Sequence, residues 1–296
     1  MRTIIIGVLL FGMFSCDSNT ETKVIKPNVV VNTIRNTASL LASKTVKQDT
    51  SKYTIEGRIH TPEGFSRTKE KTASFELYLR QLQLKKTGSE VLYFDGSSKE
   101  NYGVYHSVVD LPIGRKDLHQ CADAVMRLKA EYLWRNKKYN QIHFNLTNGF
   151  RVNYSEWMKG KRVVVKGNKT YWNNRNMPSN TYADFWKYME FIFTYAGTAS
   201  LEKELSSVSI NEAKIGDVLI QGGFPGHAII IVDKAINKEG HSVYLLAQSY
   251  MPAQEIQVLN NTGDYDISPW FSFKNTDRII TPEWQFTSQD LKRFRE

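Results

Sequence analysis

The chain reads as an α+β protein built on a largely antiparallel sheet, on three observations. Short runs rich in β-branched and aromatic residues recur along it, "VLYFDG", "YHSVVDLP", "QIHFNL", "KRVVVKG", "DVLIQ", "HAIIIVD" and "SVYLLAQ", each of strand length and bounded by turn formers. Two longer stretches, "DLHQCADAVMRLKAEYLWRN" and "YADFWKYMEFIFTYAG", carry apolar residues at helical spacing. Most strand-like runs follow the first of these helices rather than alternating with helices, which argues against a doubly wound parallel sheet.

In order along the chain, Met1–Arg2 is a short positive start, and Thr3 to Phe14 runs without a charge to "FGMFSC". The run is shorter than the roughly 20 apolar residues a spanning helix needs and reads as a signal peptide over 1–15. Ser15 before Cys16 resembles a bacterial lipoprotein cleavage site, so Cys16 is expected to carry lipid and anchor the protein to a membrane on the cell-envelope side. Residues 16–51 are polar, rich in Thr, Asn and Lys, and read as a flexible tether. A single domain is expected over 52–296. It begins with "TIEGRIHTPEGFSR" as strand and turn, followed by "SFELYLRQLQL" as an amphipathic helix. A segment around 145–180, containing "NGFRVNYSEWMKGKRVVVKGNKTYWNNRNMP", is expected as an insertion. It supplies either aromatic walls for a cleft or extra sheet and core.

The formal charge is +9, and the densest basic group is Lys159, Lys161, Arg162, Lys166 and Lys169. A solvated face accounts for such a group, and its field would attract acidic polymers or lipid headgroups weakly. Zinc-ligand spacing, a glycine loop for phosphate and an RNA-binding aromatic signature are all missing from the sequence. The expectation is therefore no metal, no cofactor and no nucleic-acid partner. Oligomeric state is unknown from the sequence.

The only cysteines are Cys16 and Cys121, so the fold rests on an ordinary core rather than on disulfides. Once Cys16 carries lipid, Cys121 is a lone thiol in a compartment where exposed thiols oxidise. Asp117, three residues before Gln120, matches a capping pattern that starts a helix and puts Cys121 in its first turn. Free backbone N–H groups and the positive end of the helix dipole favour a thiolate there, and a basic partner can lower such a cysteine to a pKa of about 3.5–7.5. Cys121 also lies on one stripe with Ala124, Val125, Leu128 and Tyr132. A buried core role and a reactive role both stand at this point.

His227 opens a strongly apolar strand behind the Gly/Pro loop "QGGFPG", and neutral imidazole is the usual base for a thiol. The loop "NKEG" at 237–240 would join that strand to "SVYLLAQSY". A turn centred between 237 and 238 sets His227 opposite Gln248; a centre one residue later sets it opposite Tyr250. Both partners lie on one face by the two-residue period, so the Gln248 amide is expected within reach of the imidazole.

A cysteine at a helix start, then "GD" opening a strand, then "GHAIIIVD", then a polar residue on the next strand resembles the papain-like hydrolases of bacterial cell walls, the NlpC and CHAP families. That resemblance implies a papain-like core, with an N-terminal helix bearing the Cys packed on a mainly antiparallel sheet bearing the His. It also implies Cys121 as nucleophile, His227 as base, Gln248 as the residue that orients the ring, and Gln120 or His119 as oxyanion contributors beside the Cys121 backbone N–H. The chain departs from the pattern in its 106-residue gap from Cys121 to His227 and in Gln120, where Asp or Asn is common. "QCADAVMRL", "YAGTASLEKEL", "GDVLIQGGFPGHAIIIVD" and "AQSYMPAQ" also resemble a family of bacterial lipoproteins known as domain of unknown function 4846, over most of residues 60 to 295, which implies no activity.

The functional expectation is a lipid-anchored cysteine peptidase or amidase of the cell envelope acting on an amide bond, with peptidoglycan stem peptides as first substrate. The alternative is a non-catalytic envelope lipoprotein whose papain-like scaffold binds a peptide, glycan or protein. If Cys16 carries the anchor, Cys16→Ser releases the protein from the membrane fraction with its circular dichroism unchanged; continued membrane attachment of the variant counts against the lipoprotein reading.

Overall fold

The computed structural model describes residues 53–167, 169–274 and 277–295. Cys16, the expected signal peptide and the whole of the expected tether lie outside the described residues. Nine strands form the principal sheet: β1 (Phe65–Arg67), β2 (Tyr105–Val108), β3 (Leu205–Ser207), β4 (Val218–Gln221), β5 (His227–Asn237), β6 (Ser242–Gln248), β7 (Gln257–Leu259), β8 (Phe271–Ser272) and β9 (Leu291–Phe294). The order is β2-β7-β6-β5-β4-β9-β3, with β1 on the far end of β5 and β8 on β6. Every pairing is antiparallel. Three two-stranded hairpins stand apart, at 143–153, 161–174 and 278–287. The fold is α+β with mainly antiparallel sheets.

Strand β5 organises the core because its sequence leaves no polar face. His227 through Asp233 are all buried, so the strand needs a neighbour on each edge and a layer on each side. The neighbours are β4 and β6, and the helix α3 (Cys121–Arg135) packs against β5. Twelve of the 15 residues of α3 are buried, so α3 is an interior helix rather than a surface one with a single apolar stripe.

The hairpin between β5 and β6 is not in the expected register. Its turn end pairs Ser242 with Ile236 and Leu245 with Asp233, then the register shifts, pairing Leu246 with Ile231 and Ala247 with Ile230. Val232 is therefore an extra residue, a bulge in β5. Neither turn centre read from "NKEG" describes the first part of this ladder; the second of them matches the part beyond the bulge. Beside the bulge, the fully buried Asp233 carboxylate accepts from Arg67 Nε and Arg80 Nε, each at 2.6 Å, and from the Lys234 backbone N–H at 2.8 Å.

Three local expectations give way to turn chemistry. The segment read as a strand at "TIEGR" is a helical turn, α1 (Ile55–Arg58), capped by Thr54, whose side chain accepts from Gly57 N–H at 3.1 Å. The helix α2 (Phe75–Arg80) stops before "LQL", which instead bridges Thr54 and Val109 in extended form. "VLYFDG" makes only isolated bridges, because Asp95 accepts from Ser97 N–H and Gly96 adopts φ +88°, folding the run back on itself. In the segment around 145–180, Tyr154 and Trp157 of α4 (Tyr154–Met158) are buried against Tyr188 of α5 (Tyr182–Tyr195), with ring centroids 5.1 and 5.6 Å apart. These two aromatics belong to the core.

Asp233→Ala leaves two guanidinium groups, one of them deeply buried, without their carboxylate. Loss of one partner from such a pair costs about 3–5 kcal/mol, so urea denaturation should show a loss of that size; a loss below about 1 kcal/mol would show that the bulge does not depend on this pair.

Candidate active site

The helix that carries Cys121 starts three residues later than the Asp117 capping pattern suggests. Gln120 is its N-cap and Cys121 its first residue. The carboxylate that closes the cap is Asp123, which accepts from the Gln120 backbone N–H at 3.0 Å. Asp117 is not the cap: it accepts from Gln120 Nε2 at 3.1 Å and from the Ala253 backbone N–H at 2.7 Å, tying the helix start to the segment after β6.

The thiol of Cys121 is buried. Burial, then the neighbouring Asp123, push its pKa up to about 11, against the pull of the backbone N–H groups of Ala122, Ala228 and Cys121. The lowered pKa expected from the helix end alone is thus overturned by desolvation, which disfavours the charged form. The contact with the Ala228 N–H places the sulfur against the first peptide of β5, beside His227.

His227 is fixed by two glycines and a hydrogen-bonded chain. Gly216 adopts φ +90° and a Cβ there would stand 3.0 Å from Phe75, so only glycine fits the turn before Asp217. Asp217 is fully buried and holds Arg293 through two hydrogen bonds of 2.6 and 2.8 Å. These are the "GD" pair, and their role here is structural. Gly226 precedes His227 where a Cβ would meet Thr198 Oγ1 at 2.5 Å and two backbone carbonyl oxygens below 3.0 Å. The loop can therefore close onto Thr198 only with glycine at this position.

The His227 ring has Nε2 at 2.9 Å from Gln248 Oε1. Gln248 Nε2 donates to Glu283 Oε2 at 2.6 Å, and both oxygens of Glu283 accept from Lys99 Nζ at 2.7 Å. Lys99 also donates to Gln254 Oε1 at 3.0 Å. The chain has one consistent direction. A carboxylate only accepts, so Glu283 takes the NH₂ of Gln248 and turns its carbonyl oxygen to His227. Nε2 therefore carries the proton and Nδ1 is the bare nitrogen. Burial lowers the His227 pKa to about 4, with Lys99 adding to the effect and Gln248 opposing it. The imidazole is neutral at pH 7.

Aromatic rings enclose this group. Tyr250, Trp284 and Phe286 stand 4.8, 5.3 and 6.0 Å from His227 by centroids. Tyr250 is also within electrostatic reach of Cys121, so it neighbours both. In contrast, Phe224 at the tip of the preceding loop is 99% exposed.

Cys121, His227 and Gln248 thus gather at one end of β5, and Gln120 adjoins them as the N-cap. His119 does not present a donor there. Its ring is fully buried, burial lowers its pKa to about 3, and Nδ1 lies 3.3 Å from the Gln254 carbonyl. That carbonyl can only accept, so Nδ1 holds the proton and Nε2 is a bare acceptor. Sequence reasoning placed Tyr250 opposite His227 only under the second turn centre, and it missed Glu283 and Lys99. Only the excess of polar residues in "QSYMPAQ" hinted at more partners, since Lys99 and Glu283 reach the site from 128 and 56 residues away from His227. Among the described residues no cluster of His, Cys, Asp and Glu could hold a metal ion, and no helix is long and apolar enough to cross a membrane.

The model of a family described as domain of unknown function (4846) matches residues 55–293. Comparison with curated proteins and with solved structures gives no match.

Nitrogen NMR of the imidazole should show His227 as the Nε2–H tautomer at pH 7. Because its folded pKa lies below the unfolded value of about 6.5, its contribution to stability is complete above pH 6.5 and is lost as pH falls toward 4. The drop in stability between pH 6.5 and 4 should be shallower in His227→Asn than in wild type; parallel profiles would show that His227 is not buried neutral.

Proposed function

The chain belongs to the family described as domain of unknown function (4846), and since that description carries no activity, we propose its function from geometry: a cysteine hydrolase that cleaves an amide bond through Cys121, His227 and Gln248. The observation that carries the reading is the direction of the chain Glu283, Gln248, His227. It leaves the base nitrogen Nδ1 bare in a ring held next to a strand peptide that touches the Cys121 sulfur. This is the orienting role that the third member of a triad performs. The arrangement also supports kinship with papain-like hydrolases, with the cysteine on a helix and the histidine on an antiparallel sheet.

With a thiol near 11 and an imidazole near 4, the resting pair is neutral rather than thiolate and imidazolium. The sulfur attacks the scissile carbonyl as its proton passes to His227 Nδ1, and a carbon–sulfur bond forms. The carbonyl oxygen becomes an oxyanion, for which the Cys121 backbone N–H at the helix start is a donor. The imidazolium then gives its proton to the leaving amine as the carbon–nitrogen bond breaks. Water, deprotonated by His227, hydrolyses the thioester and restores the thiol. The second proton of Gln120 Nε2, beyond the one given to Asp117, is the further oxyanion candidate; His119 is dropped for want of a proton.

We place the protein at the bacterial cell envelope, held to a membrane through lipid on Cys16, with the stem peptides of peptidoglycan as the substrate class. Support for the anchor is the N-terminal pattern alone. Support for a peptide is the aromatic rim around His227, where Tyr250 and the exposed Phe224 would flank an extended chain.

A second reading, a non-catalytic scaffold that binds a peptide, glycan or protein, is favoured by one observation: Cys121 is only 6% exposed, with a raised pKa. The two readings separate on substitution of Tyr250, which neighbours the thiol. In the hydrolase, Tyr250→Ala opens the thiol and iodoacetamide labelling of Cys121 at pH 8 rises at least tenfold, while Cys121→Ser melts within a few degrees of wild type and loses all release of amine from stem-peptide substrates. In the scaffold, the serine hydroxyl meets only core. An unmet hydroxyl there costs about 1–3 kcal/mol, and Tyr250→Ala leaves labelling unchanged; that pair of results would overturn the hydrolase.

A further inference from the structure

A cleft of about 830 Å³ lies away from His227, between the second half of α3, the start of α2, the strand His143–Asn145 and the end of β9. Lys129 and Tyr132 on its wall are eight and eleven residues beyond Cys121, roughly 12–17 Å along the helix. It is a separate place from the candidate active site, and its size is that of a small-molecule site, about 300–1,000 Å³.

Its walls are basic in a way that internal pairing does not cancel. Two cations are matched: Lys214 lies 3.4 Å from Glu76, and Arg293 is held by Asp217. Four others on the wall, Lys138, Arg151, Lys203 and Arg295, form no ion pair among the described residues, and all four are exposed. Arg151 and Arg295 contact Asn153 and Ser206 side chains instead. The carboxyl these two arginines face is Glu204, which accepts from the Asn145 backbone N–H at 2.6 Å and is pushed upward in pKa by burial against their pull. His143 on the same wall is lowered in pKa, first by burial and then by Arg151. A concave site with a surplus of positive charge focuses its field on an anion.

The apolar floor is not open for stacking. The Lys129 ammonium lies 4.6 Å over the Phe75 ring and 5.3 Å over the Phe294 ring. Flat bases, which bind single-strand proteins largely by stacking, find those faces covered. Amides of Asn140 and Gln141 at the rim suit hydroxyl groups, and two guanidinium forks suit the planar oxygens of phosphate or carboxylate.

We propose that this cleft binds a sugar or polyol carrying two or more phosphate or carboxylate groups. Two arginines and two lysines on the wall exceed what Glu204 alone can neutralise, and that surplus matches two anionic groups on one small scaffold, with the amides taking the hydroxyls. The site is independent of the proposed hydrolase and stands or falls without it.

Calorimetry of the full chain tests this with fructose 1,6-bisphosphate as probe, glucarate as the dicarboxylate counterpart, and inorganic phosphate, fructose and a single-stranded oligonucleotide as comparisons. One of the two doubly charged sugars should bind at a 1:1 ratio, and the tighter of them identifies the anionic group. Fructose should not bind, and phosphate should bind at least tenfold more weakly. The variant Lys203→Glu with Arg295→Glu should weaken binding at least tenfold, whereas Lys166→Glu with Lys169→Glu on the equally basic hairpin leaves it unchanged. If the double reversal fails to fold, Lys203→Gln with Arg295→Gln gives the same comparison. Binding should raise the His143 pKa, read by NMR, and persist in Cys121→Ser. Equal loss from the hairpin variant, tighter binding of the oligonucleotide, phosphate as good as the sugars, or an unmoved His143 would each overturn the proposal.

Discussion

One extra residue in a buried strand, Val232, decides which side chains meet at the candidate site. Near the turn the hairpin pairs residues whose numbers would carry Gln248 opposite Ile230, on the sheet face away from His227. Beyond the bulge the pairing of Ala247 with Ile230 leads Gln248 opposite Ile229, and residues 229 and 227 share a face. The 2.9 Å contact between Gln248 and His227 depends on that slip. Strand β5 is buried on both faces, so a bulge there cannot be absorbed by solvent. The Asp233 carboxylate, held between Arg67 and Arg80, supplies the local anchor.

The second constraint is satisfaction of buried polar groups. His227 and Gln248 sit at the buried, largely apolar end of the hairpin, where an unpaired group costs about 1–3 kcal/mol. The chain through Glu283, Lys99 and Gln254 meets that demand with alternating donors and acceptors, and its charged members fix the direction of the neutral ones. A neutral pair of amides could flip; a carboxylate and an ammonium cannot exchange roles. The protonation pattern of His227 is thus set some residues away from the ring.

Burial that fixes geometry also works against ionisation. The helix dipole and three backbone N–H groups favour the Cys121 thiolate, yet desolvation outweighs them. Removing an anion from water costs several kcal/mol, whereas a helix end returns about 0.3–1 kcal/mol, or up to ~2 in partly buried settings. The proposed chemistry therefore moves the proton during attack rather than before it, and Tyr250 stands beside His227 and within electrostatic reach of Cys121.

The sequence by itself determined the elements whose signals are local. Periodicity marked the cysteine helix and the second long helix, and alternation of apolar runs marked the central strands and the α+β class with its antiparallel sheet. It also singled out Cys121, His227 and Gln248, and the two turn centres considered for the hairpin both kept Gln248 and His227 on one face. Neither anticipated the bulge that sets this in the structure, because a bulge is a response to neighbours across the sheet and leaves no period in the strand. Turn chemistry at Thr54 and Asp95 overrode apolar runs that looked like strands. Tertiary structure alone decided the hydrogen-bonded chain, since Lys99 and Glu283 join His227 only through folding. It alone decided the sign of the Cys121 shift, because desolvation depends on what surrounds a thiol in space and not on its position in a helix.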